Sequence, residues 1–126
     1  MSIIGVGIDI IEITRIQRIL FRFGYKFIKK ILSKNEIKKY VITKHCIQFI
    51  AKKFVAKEAA LKALGTGIQF GISFNQIETY HNHLGKPKLR FLKNALKQLE
   101  EIQCKSIHIS ISDQNKYACA IVILEN

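Results

Sequence analysis

The sequence predicts a single-domain α+β fold, mainly antiparallel sheet packed with a long helix, and three stretches predict it. Residues 47–64 contain no helix breaker and end at Gly65, which reads as a long helix with a glycine stop. Residues 3–11, Ile-Ile-Gly-Val-Gly-Ile-Asp-Ile-Ile, read as a buried strand. The chain then closes on a hairpin pattern. Residues 105–112 alternate apolar and polar side chains, Asp113-Gln114-Asn115 supplies turn chemistry, and residues 117–124 return.

The remaining elements follow in order. After the first strand comes an amphipathic helix, with Arg15, Arg18 and Arg22 at i, i+3, i+7 on one face and Ile16, Ile19, Leu20 and Phe23 supplying the apolar side. Ser33 followed by Glu36 is a capping box that opens a helix over 34–41. In the long helix, Ile47, Ala51, Phe54 and Leu61 recur at helical spacing as one apolar stripe. Short strands at 74–80 and 87–91 flank a turn at Gly85, and a helix covers 92–103.

Composition limits the function. A chain of 126 residues with 48% hydrophobic content is one domain's worth with a sizeable core. It has one proline, no low-complexity tract and no internal repeat. The apolar start is short and carries Asp9 and Glu12, unlike a signal peptide or membrane span. Cys46, Cys104 and Cys119 are odd in number with no Cys-x-x-Cys pair, which predicts reduced thiols in a cytoplasm. The net charge of +12 attracts acidic partners. Its lysines are scattered, however, and no tryptophan, zinc finger, RNP run or helix-turn-helix pattern accompanies them, so the expectation is no nucleic acid.

Glu58 falls in the middle of the apolar stripe, flanked by Lys57 and Lys62. A buried carboxylate needs a cationic partner, a metal or a catalytic duty. Asp9 is the other isolated acid in apolar surroundings, and two carboxylates suit Mg2+, which keeps several waters and binds substrate phosphates. The structural alternatives are a helix cap for Asp9 and an i, i+4 pair with Lys62 for Glu58. Gly65-Thr66-Gly67 lies at a helix C-terminus, where the dipole repels anions, so a helix stop is its default reading. His81 and His83 flank a turn, with metal binding there a weak prospect. His108, Ser110 and Ser112 share one strand face, but no nucleophile elbow surrounds them.

The run Phe54-Val55-Ala56-Lys57-Glu58-Ala59-Ala60-Leu61-Lys62-Ala63-Leu64-Gly65-Thr66-Gly67 resembles the signature of the holo-acyl-carrier-protein synthases, the small bacterial phosphopantetheinyl transferases. Gly5-Val6-Gly7-Ile8-Asp9-Ile10-Ile11-Glu12 is similar to that family's first strand, Gly85-Lys86-Pro87 to its Gly-x-Pro turn and Tyr117-Ala118-Cys119-Ala120 to its last strand.

The resemblance implies a 4'-phosphopantetheinyl transferase-like fold over residues 1–126. The implied reaction moves the 4'-phosphopantetheine of coenzyme A to a serine of apo acyl carrier protein, releases adenosine 3',5'-bisphosphate and supports fatty acid biosynthesis. Asp9 and Glu58 would hold Mg2+, and Lys62 would add positive charge. Glu58, directly or through a water on the metal, is the candidate base. Lys44, Lys53, Gly65, Thr66, Pro87 and His108 would contact coenzyme A, while Arg15, Arg18 and Arg22 would dock the acidic carrier. Lys53 stands where relatives often have arginine, which keeps the charge but loses the bidentate fork. Asp113 stands where many have histidine. The small members are homotrimers with sites between subunits, so a neighbouring chain would supply some coenzyme contacts.

Overall fold

The computed structural model describes residues 1–126. Its elements are β1 (Ile3–Glu12), α1 (Ile13–Phe23), α2 (Tyr25–Ile31), α3 (Lys34–Tyr40), α4 (Cys46–Leu64), a 3-10 turn (Phe74–Gln76), β2 (Ile77–His81), β3 (Pro87–Phe91), α5 (Lys93–Glu101), β4 (Ser106–Asp113) and β5 (Tyr117–Glu125). All strand pairing is antiparallel, but it forms two sheets rather than one: β1-β5-β4 and the hairpin β2-β3. A core of 26 buried apolar residues joins the sheets to the helices. No helix is long and apolar enough to cross a membrane.

α4 is the central element, and alanine makes it so. Ala51, Ala56, Ala59 and Ala60 are fully buried, and such small side chains let the helix lie against its neighbours on several sides. On the β1 side the approach is closer still. A Cβ on Gly7 would overlap the Ala59 carbonyl oxygen, and one on Gly5 the Ala63 carbonyl oxygen. Glycine is therefore required here for space: the strand backbone packs directly on the helix backbone.

Several expectations change. β1 is buried on one face only: Gly7 and Ile11 are covered, whereas Val6, Ile8 and Ile10 stay more than half exposed. Residues 74–76 curl into a 3-10 turn, so the predicted strand begins at Ile77. Phe23 does not join the apolar side of α1; it is exposed, with the Arg22 guanidinium 5.2 Å from its ring centroid. α2 was not anticipated, because Gly24 at φ 57° and ψ −134° breaks what its flanking residues would continue as one helix. α5 ends at Glu101, before the predicted limit of Gln103, which itself adopts a left-handed φ of 60°. The capping box at Ser33 and Glu36 forms as predicted, and Gly65 closes α4 in the left-handed conformation.

The Glu36 carboxylate does more than cap α3. Its Oε1 accepts from Lys57 Nζ at 2.7 Å and from the Ser33 amide at 3.0 Å, and its Oε2 accepts from the Thr79 amide at 2.8 Å. Lys57 also donates to the carbonyls of Phe74 and Ile77. One turn earlier on α4, Lys53 donates to the Thr79 carbonyl at 2.7 Å and to its hydroxyl at 2.6 Å. Two buried lysines four residues apart thus bolt α4 to α3 and β2. Every buried side-chain polar atom has a partner, as the low dielectric requires.

Two predictions follow from this packing. Gly7→Ala is expected to lower stability by at least about 3 kcal/mol, since neither backbone can retreat without unpacking the core; chemical denaturation measures it, and a midpoint within error of the parent refutes the close contact. Burial holds Lys53 down to about 8, with the Glu36 carboxylate pulling partly back. Unfolded, the lysine keeps its proton to about pH 10.4. Between those values the unfolded chain binds more protons, so this group's contribution makes stability rise with pH, by roughly 2 kcal/mol from pH 8 to 10. Lys53→Met is expected to remove that rise, which urea titrations of both proteins at the two pH values test.

Candidate active site

The backbone contact of β1 with α4 brings the two isolated acids together. Gly7 sits over Ala59, so Asp9, on the same strand face, lies next to the turn that carries Glu58. Both acids are partly buried. Burial first, then the Asp9 carboxylate, pushes the Glu58 carboxyl up, while Lys62 and Arg15 pull it back. Lys62 extends from the next turn and donates to the Ile8 carbonyl at 2.9 Å and to Asp9 Oδ1 at 3.1 Å. The alternative i, i+4 pairing of Glu58 with Lys62 is therefore not the main contact, because this lysine reaches Asp9 instead.

Two carboxylates close enough to repel form a hard-oxygen donor pair, and that donor chemistry fits Mg2+. No group of three or more His, Cys, Asp or Glu side chains is placed to hold a metal ion, so a Mg2+ ion at this pair would take two protein carboxylates and complete its shell with water and phosphate oxygens.

One of the three α1 arginines, Arg15, lies near this pair. Arg15, Arg18 and Arg22 are exposed on α1, which starts where β1 ends, and the charge of Arg15 reaches Glu58. The spacing of α1 on its own gives no sign that Arg15 lies near the acid pair.

A second, basic locus lies elsewhere. A cavity of about 250 Å3 is lined by Lys39, Lys52, Lys53, His81, Gly85, Pro87 and Asp113, among others. Burial, then the charges of Lys53, Lys52 and Lys39, holds the His81 imidazole below its usual range, so the cavity is strongly cationic. Lys39 and Lys52 were missed in the sequence, where they look like ordinary solvated lysines. Asp113 is the one acid on this wall, placed there because β4 runs through it. Pro87 also borders a cleft with Lys86, Lys88 and His108, whose Nε2 meets Glu125 Oε1 at 2.5 Å.

Not every candidate joins these loci. Lys53 lines the basic cavity, yet its ammonium is turned to Thr79 and to Glu36, 3.8 Å away. Lys44 is exposed in the α3–α4 connection and lines neither cavity beside Pro87. The Gly65 amide bonds to the carbonyls of Leu61 and Lys62, so it closes the helix, and the Thr66 hydroxyl donates to the Gly67 carbonyl. Lys53 and Glu58 are five positions apart on α4, which points their side chains about 140° apart. Acid pair and basic cavity thus face different sides of one chain.

Likeness to known proteins extends over the full length of the chain. The chain is 66% identical over 126 residues to the holo-acyl-carrier-protein synthase of Buchnera aphidicola subsp. Acyrthosiphon pisum (strain Tuc7), covering 100% of both chains. It is 44% identical over 126 residues to that of Erwinia tasmaniensis, again covering 100% of both. Among solved structures, that of the Neisseria meningitidis holo-acyl-carrier-protein synthase superposes with a TM-score of 0.94 at 36% identity, covering 99% of this chain and 100% of that one. The Helicobacter pylori synthase in complex with coenzyme A superposes at 0.82 and 33% identity, covering 95% and 99%. Residues 5–122 match the family described as the 4'-phosphopantetheinyl transferase superfamily. Likeness along the whole chain, in sequence and in fold, gives one conclusion: this chain belongs to the 4'-phosphopantetheinyl transferase superfamily.

Proposed function

We propose that the chain transfers the 4'-phosphopantetheine group of coenzyme A to a serine of apo acyl carrier protein, with Mg2+, in support of fatty acid biosynthesis. The observation that carries this reading is the half-buried Glu58 facing Asp9, with Lys62 and Arg15 at its side, in a chain whose relatives bear the synthase name along their whole length. Unpaired Cys46, Cys104 and Cys119 suit a cytoplasmic setting.

In this mechanism the serine oxygen bonds to the phosphorus of the pantetheine phosphate, the pyrophosphate P–O bond breaks, and adenosine 3',5'-bisphosphate leaves. Asp9 and Glu58 would hold the ion, which supplies charge neutralisation on the pyrophosphate oxygens. Lys62, fixed by the Ile8 carbonyl and Asp9, adds a positive charge at the same place. Glu58 is also the candidate to accept the serine proton. Arg15, Arg18 and Arg22 present cations to the acidic carrier beside the acids, which delivers the serine to the reacting phosphorus. Lys39 and Lys52 on one wall, with Lys86 and His108 in the neighbouring cleft, receive the nucleotide phosphates, while Lys53, turned inward to Thr79 and Glu36, backs that wall.

Acid pair and basic cavity belong to different faces, so a complete site needs a second chain. The outer face of the larger sheet supports a homotrimer that supplies it. Across that face the register sets Val6 beside Ile123 and His108, and Ile8 beside Ile121 and Ser110. Val6, Ile8 and Ile10 are 53%, 63% and 64% exposed, an apolar strip that an isolated sheet would fill with polar residues.

Incubation with apo acyl carrier protein, coenzyme A and Mg2+, followed by the intact mass of the carrier, tests the reaction. A chelator-sensitive gain of one phosphopantetheine is expected, and no gain on a carrier that another transferase modifies refutes the reading. Asp9→Ala and Glu58→Ala are each expected to lose at least about 100-fold in turnover while carrier binding by calorimetry stays within a few-fold. Ile8→Asp is expected to leave a folded monomer by light scattering with little turnover, because charge is costly at a buried interface; a trimer of undiminished stability refutes the assigned face.

A further inference from the structure

We propose that Glu36 is a positioning residue for this transfer: with one oxygen on Lys57 and the other on Thr79, it locks the rotation of the acid-bearing helix to the hairpin that carries the Gly85–Pro87 turn. The inference rests on the transferase reading and adds a residue outside both loci.

The geometry is specific. Lys57 and Glu58 are consecutive on α4, so their side chains leave the helix about 100° apart, and fixing one fixes the direction of the other. The Lys57 ammonium is fully buried and held by three acceptors from three segments: Glu36 Oε1 at 2.7 Å, the Phe74 carbonyl at 3.1 Å and the Ile77 carbonyl. Glu36, 2% exposed, is itself held by the Ser33 amide at 3.0 Å and the Thr79 amide at 2.8 Å. Thr79 pairs with Leu89 on β3, two residues from Pro87. A direct chain of bonds therefore runs from the residue beside Glu58 to the strand beside the coenzyme turn.

Stability is a poor reason for such a group. Well-packed apolar side chains of the same volume are commonly as stable as a buried ion pair or more so, but they carry no directional bonds. Hydrogen bonds set rotation about the helix axis, and a misplacement of about 1 Å at a reacting centre costs on the order of 100-fold in rate.

The test uses Glu36→Gln in the carrier-mass assay, with folded fraction from circular dichroism. Expected is a loss of about tenfold or more in kcat per folded molecule, with the KM for coenzyme A changed by less than about threefold. A kcat per folded molecule within about twofold of the parent overturns the proposal. Should Glu36→Gln not fold, Glu36→Asp keeps the charge one methylene short and is expected to show the same split in milder form. The pair Glu36→Leu/Lys57→Met, compared per folded molecule, is expected to leave kcat low, and a restored kcat overturns the positioning role. A parent that transfers nothing sinks the transferase reading itself, whereas an active parent with unaffected variants sinks only the role of Glu36.

Discussion

The contact on which the rest of this molecule depends is backbone on backbone. Gly5 and Gly7 of β1 lie against the carbonyls of Ala63 and Ala59, with no side chain between strand and helix. Ordinary residues at those positions would hold the two elements apart by at least the width of a methyl group. The distance matters because Asp9 and Glu58 are short side chains on different elements, and they meet only when the two backbones touch. The like-charge push on Glu58 is a consequence of that approach, and so is the reach of Lys62 across to Asp9.

On its other side the same helix meets polar structure. Lys53 and Lys57 bury two ammonium groups against Glu36, Thr79 and three main-chain carbonyls. Unpaired, each would cost several kcal/mol; fully bonded, they tie α4 to α3 and to β2 in one orientation. α4 is thus seated by shape against β1 and by direction against β2, and the acids lie between these two supports.

The basic excess is distributed with the same logic. Arg15, Arg18 and Arg22 stand exposed along α1, with Arg15 near Glu58, while Lys39, Lys52 and Lys53 gather at the cavity near Pro87. The exposed apolar strip of Val6, Ile8 and Ile10 suits the division: in the proposed assembly through the larger sheet, one chain would contribute the acids and another the cations. A single chain is consequently a complete fold but half of the proposed site.

The sequence by itself determined the α+β class, the strand at Ile3, the capping box at Ser33, the long helix with its Gly65 stop and the terminal hairpin, because each rests on local periodicity or on one residue's backbone preference. It also singled out Asp9 and Glu58, since an acid inside an apolar run stands out with no structure at hand. Only the tertiary structure decided that Lys62 serves Asp9, that Lys53 turns inward to Thr79, that the Gly65 amide is used by its own helix, and that β1 leaves one face bare. Those outcomes depend on which distant segment arrives opposite a side chain, and long-range packing sets that without leaving a trace in the local pattern.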